Sequence, residues 1–278
     1  MNIIKASVLN AVRRRWKLAL VVFLFGVGLV ILTHAYDMAA LDYVVLSGTP
    51  PDWEGGEPSP EQVEAMARRA GMFVLFMLLA GAFAFGTMLL AFLMPGGMVA
   101  DERRSGAIML WAQHPMPLRS FYLRRYAGVQ IATVAALAIF GLTWAVALPP
   151  GDGFPTGLGG VVSLCLTGVL ACAISFAITA LGIRRAALIG VLYFMLSGTL
   201  AGVEVTRTSG TWSAAESVGA VLPFLIFPSG VINDFVAGFG SGVAWDWGAT
   251  GLVLYHLALW TGIAWIGLLR IEKRPLKL

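Results

Sequence analysis

Six stretches of the chain are almost wholly apolar: residues 18–36, 71–94, 126–148, 158–183, 186–203 and 249–269. Each can cross a hydrocarbon core of about 30 Å as a helix, the fifth barely. Backbone groups in lipid must be satisfied within their own segment, so the pattern predicts helices. The expected fold is an all-α integral membrane protein with six transmembrane helices, forming one domain over residues 1–278. The first stretch is long and has no small-residue cleavage site ahead of another domain, so it reads as a span and not as a signal peptide.

The polar connections are unequal. In residues 1–17, Ile4, Val8, Val12 and Trp16 recur every four positions while Lys5, Arg13, Arg14 and Lys17 lie off that stripe. This predicts an interfacial amphipathic helix leading into the first span. The connection 37–70 carries Asp37, Asp42, Asp52, Glu54, Glu57, Glu61 and Glu64 among several prolines and reads as an acidic, solvated loop. Its end, Glu61 to Arg69, has the composition of a short helix running into the second span. The connection 204–248 holds an apolar core, Val218 to Phe227, interrupted by Pro223 and followed by Pro228. That core is too short to span, so a re-entrant outer hairpin before the last span is expected. Trp212, Trp245 and Trp247 suit an interfacial aromatic belt.

Charge orients this frame. Of the 19 Lys and Arg, all but Arg68, Arg69 and Arg207 fall in the N-terminal tail, the second and fourth connections and the C-terminal tail. The positive-inside rule then places both termini in the cytoplasm of a multi-pass protein of the cell membrane. Composition agrees, with 58% hydrophobic and 12% charged residues. The net charge of +4 reflects this topology and does not indicate nucleic-acid binding. Cys165 and Cys172 are about 10 Å apart along one helix, too far for a disulfide, and read as small packing residues.

Several chemistries find no support. No Lys follows a Gly, so there is no phosphate-binding P-loop, and neither His-Glu-x-x-His nor Gly-x-Ser-x-Gly occurs. His34, His114 and His256 lie in separate segments without metal-ligand spacing. His34 and His256 are expected near the outer membrane interface. No Asp, Glu, Lys or Arg lies deep in a predicted span, which disfavours an ion-coupled carrier. No catalytic constellation and no cofactor or metal site is expected.

The connection 95–125 is the most informative. Asp101-Glu102-Arg103-Arg104-Ser105-Gly106 opens it, an amphipathic run from Ala107 to Gln113 follows, Pro115 and Pro117 break that run, and Arg119, Arg124 and Arg125 close it. With the six-span frame, this segment resembles the permease subunit of the type-2 ABC exporter family. Glu102, Gly106, Leu110 and Pro115 match the family pattern. Ala107 stands where a hydroxyl residue is usual, and Arg119 comes one place later than the family's Ser-Arg.

The resemblance implies an ATP-driven exporter in which this chain is not itself the enzyme. Residues 102–114 would form a cytoplasmic coupling helix seated in an ABC-type ATP-binding subunit, with Glu102, Arg103, Arg104, Gly106, Leu110 and Pro115 at the contact. ATP and magnesium would bind that partner. The N-terminal helix 3–16 would brace the movement at the membrane surface. A second permease copy or a paralogue would complete a pathway lined by 18–36, 71–94 and 186–203. Pro223, Phe224, Phe227 and Pro228, in the re-entrant segment 217–236, would form an outer gate. The alternative is a stand-alone channel or secondary transporter. An uncharged pathway suits a hydrophobic or amphipathic cargo.

Overall fold

The computed structural model describes residues 3–35, 60–113, 115–147, 158–201 and 247–273. Among them all regular structure is helical: α1 Ile3–Ala35, α2 Pro60–Leu93, α3 Ala100–Arg104, α4 Ala107–Ala112, α5 Leu118–Ala147, α6 Leu158–Ala180, α7 Ala186–Ala201 and α8 Trp247–Lys273. Each apolar stretch of the sequence lies within one helix or nearly so. Five helices are long and apolar enough to cross a membrane, and α7, at 16 residues or about 24 Å, is shorter. The re-entrant hairpin expected over 204–248, with Pro223, Phe224, Phe227 and Pro228, lies outside the described residues.

Helix lengths exceed what the membrane requires. With 33 and 34 residues, α1 and α2 are each about 50 Å long against a core of about 30 Å. The surplus is polar helix. In α2 it is the expected turn from Glu61 to Arg69, opened by Pro60, which suits a first helical position. In α1 it is the N-terminal segment, continuous with the span and not a separate element. Against the rest of the protein α1 buries Ser7 and Ala11, whereas Val12 and Trp16 of the apolar stripe are about half exposed. The reason is α5. A Cβ on Gly128 would lie 2.6 Å from the Ile4 carbonyl and 2.8 Å from Ser7 Cβ, so the two helices meet on the small-residue face of α1.

Small residues set the other contacts, as expected where lipid supplies no hydrophobic drive between helices. Gly86 receives Val22, Gly141 lies against the Val161 backbone, Gly190 receives Phe92, and Gly267 lies against the Ala180 backbone. These contacts run α1 antiparallel to α2, and α5 antiparallel to α6. They bring the starts of α1, α5 and α7 together with the ends of α2, α6 and α8. The basic residues of four separate sequence segments therefore gather at one end of the bundle.

The last turns of α6 form the centre. Leu170 to Ala180 are buried on every side, and Cys172 packs beside Thr133 of α5. Both cysteines are free thiols. His256 is also fully buried inside the bundle, because α8 turns that face inward beneath exposed Tyr255. A Schellman motif ends α6: Ile183 N–H donates to Ile178 O and Gly182 N–H to Thr179 O, with Gly182 at φ 88°.

Two hydroxyls of α6 satisfy backbone groups of other helices. Ser175 Oγ donates to Phe92 O (2.7 Å) near the end of α2. Thr179 Oγ1 accepts from the N–H groups of Val99 (3.4 Å) and Ala100 (3.2 Å), where α3 begins. Helix ends leave such groups without partners of their own. Thr179→Val should therefore destabilise the protein by about 1–3 kcal/mol, the cost of a buried donor left unsatisfied. It should also speed tryptic cleavage at Arg103 and Arg104, whereas Thr179→Ser should preserve both properties. Thermal unfolding in detergent and timed proteolysis would check this.

Candidate functional site

The loop after α2 folds into a projection at the basic end of the bundle. The helix expected over 102–114 is two short helices, α3 and α4, meeting at Gly106. Gly106 has φ 76°, a left-handed conformation that a Cβ disfavours, and this breaks the run. Nothing lies within 4 Å of a Cβ built there, so the constraint is backbone conformation and not space.

The inner face of the projection is anchored at three points. Ile108 of α4 is fully buried among Met98, Val99 and Tyr122. Trp111 stacks on Phe121 of α5, with ring centroids 4.5 Å apart and planes 26° apart. The carboxylate of Glu102 accepts hydrogen bonds from Tyr122 Oη (2.9 Å) and Arg125 Nη1 (2.5 Å). The Arg125 guanidinium also lies over the Phe121 ring at 5.4 Å. Charge-assisted bonds of this kind, largely removed from water, are among the stronger polar contacts.

The sequence put Arg119, Arg124 and Arg125 in a connection. They occupy the first two turns of α5, which begins directly after Pro117. Arg119 ties this start to α8 through Glu272 (3.7 Å) and the face of Trp265 (5.2 Å).

The residues expected at the contact therefore divide. Glu102 points inward and braces the projection. Arg103 lies beside the Gly182 turn, and Arg103, Arg104 and Pro115 are exposed. Gly106 sets the bend. Leu110 is 67% exposed at the outer face of α4, next to Met109 at 39%. A rigid frame thus holds two apolar side chains outward.

Sequence reasoning missed Tyr122, Trp111, Phe121 and Thr179. The aromatic pair is ten positions apart with two prolines between, and nothing local marks it as a stack. Among the described residues, no three His, Cys, Asp or Glu gather as a metal site. No protein-family model matches the chain, and neither curated proteins nor solved structures gave a match.

The brace makes a quantitative expectation. Glu102→Gln and Arg125→Met should each destabilise the projection, and the double variant should cost less than the two combined. The coupling should be about 1–2 kcal/mol. A double-mutant cycle read by thermal unfolding would check it, with additive effects showing that the pair is idle.

Proposed function

We propose that this chain is the membrane-spanning permease subunit of an ATP-driven exporter of the type-2 ABC class, coupled to a separate ATP-binding subunit. The observation that carries the reading is the projection itself. It is pinned to α5 and α6 at its base and presents Met109 and Leu110 outward at the basic end of the bundle. A loop needed only to reverse the chain has no use for a buried brace or an exposed apolar tip. A rigid peg docking into a partner's groove has use for both, since apolar anchors in a pocket carry most interface energy.

On this reading the basic end faces the cytoplasm, as the positive-inside rule requires. ATP and magnesium stay on the partner. A second copy or a paralogue supplies the other half of the pathway, and the cargo is hydrophobic or amphipathic. The contact is made chiefly by Met109 and Leu110, with Arg103, Arg104 and Pro115 at its rim. Glu102 and Gly106 act by holding the peg's shape.

The test is co-purification. The tagged chain, extracted gently from its native membrane, should carry a stoichiometric P-loop ATPase. Leu110→Asp should weaken that association by about 2 kcal/mol, roughly thirtyfold, while insertion and thermal stability persist. Arg68→Gln, at the opposite end, should change nothing. A chain that purifies alone even after mild cross-linking would instead indicate a stand-alone channel or carrier.

A further inference from the structure

Beside the projection and apart from its apolar tip, α1 and α5 leave a cavity of about 400 Å³ against the loop that follows α2. Small-molecule sites usually measure about 300–1,000 Å³. The charged wall of this cavity consists of Arg14, Arg15, Asp101, Glu102, Arg104 and Arg125. Glu102 and Arg125 neutralise one another. Three guanidiniums then face one carboxylate, that of Asp101. Among the described residues Arg14, Arg15 and Arg104 join no ion pair. Arg15 Nε is buried and has no hydrogen-bond partner among those residues.

A partly buried, unpaired guanidinium next to a second one is costly unless an anion compensates it. The planar fork of arginine pairs best with carboxylate or phosphate oxygens. Gly96 and Gly97 also line the cavity, and the Asp101 carboxylate lies against Gly97, so the arginines and not that backbone are the groups open to an anion.

The surroundings show how such a group would arrive. Leu9, Val12, Trp16 and Leu20 form an exposed apolar stripe along α1. Lys17 lies 6.0 Å from the Trp16 ring centroid. Aromatic and basic side chains at one level mark headgroup depth. Basic pockets at this depth suit anionic headgroups.

We infer that this cavity binds a phosphate-bearing anion, its oxygens held by Arg14, Arg15 and Arg104, so that the ligand ties α1 to α3. The phosphate can come from an anionic phospholipid or from solution. The inference goes beyond the exporter reading and stands without it.

The full chain would be reconstituted in nanodiscs of phosphatidylcholine, with or without phosphatidylglycerol. Tm and retained lipid would be measured for the wild type and for Arg14→Gln/Arg104→Gln. Phosphatidylglycerol should raise the wild-type Tm by a few degrees and should be retained on the protein. The double variant should match or exceed the wild type in phosphatidylcholine alone, because like charges have been removed. It should gain nothing from phosphatidylglycerol, with retention falling about fivefold per arginine. Arg184→Gln/Arg185→Gln, at the same end but outside the cavity, should keep the full response.

If inorganic phosphate in phosphatidylcholine discs reproduces the rise and phosphatidylglycerol does not, the site stands and its ligand is a soluble anion. Should the double variant fold poorly, Arg104→Gln alone, at an exposed position, serves the same comparison. The inference is overturned if neither anion raises the wild-type Tm. It is also overturned if the cavity variants respond as fully as the wild type.

Discussion

The structure depends on the burial of α6's last turns. From Leu170 to Ala180 this helix touches protein on every side, so its polar groups must find partners there. They find the loose ends of other helices. Ser175 takes up a carbonyl near the end of α2, and Thr179 takes up two amides at the start of α3. One helix thereby fixes where the second ends and where the projection begins. The loop between is held by the same helix, through the Val99 amide, and it can remain short and tightly turned.

This arrangement accounts for a projection that is stiff although its helices have only 5 and 6 residues. Such helices are far too short to be stable alone. Their stability comes from the contacts of Ile108, Trp111 and Glu102 on the bundle. A force applied at Met109 or Leu110 would pass into α5 through Phe121, Tyr122 and Arg125 and into α6 through Thr179. It would not dissipate in a flexible loop. From α5 it would reach α1, because Gly128 seats directly against the Ile4 backbone. On the proposed reading, this is the route by which closure of the ATP-binding partner would move the membrane part.

Much of this frame was legible in the sequence. The apolar stretches gave the helices, since a run of uncharged residues in lipid has little alternative to a helix. The extension of α2 was readable from the Glu61–Arg69 composition, although not its start at Pro60. The rest was hidden for physical reasons. Apolarity signals that a helix is out of water but not whether it faces lipid or protein, so the central position of α6 could not be seen. In retrospect its small and hydroxyl residues on all faces, among them Ala171, Cys172, Ser175, Ala177 and Thr179, are the one sign. On α1 the residues that face protein, Ser7 and Ala11, are small and carry no apolar periodicity, while Val12 and Trp16 of the apolar stripe are exposed. The bonds of Glu102 to Tyr122 and Arg125 could not be seen either, because those partners lie 20 and 23 residues away.

Charge counting met the same limit, and there the difference matters most. The positive-inside rule treats all arginines alike, but the fold sorts them. Arg119 and Arg125 are consumed in pairs with Glu272 and Glu102. Arg14, Arg15 and Arg104 are brought together from segments some ninety residues apart, with one carboxylate among them. Topology alone would be served by scattered, fully hydrated arginines, which repel one another least. Packing three of them around one opening, one with a buried and unpartnered Nε, raises the free energy of the empty state. That cost falls at the junction of α1 and α3, where the projection meets the bundle. An anion entering there would remove the repulsion and stiffen the junction together, so occupancy of the cavity and rigidity of the projection would rise and fall as one quantity.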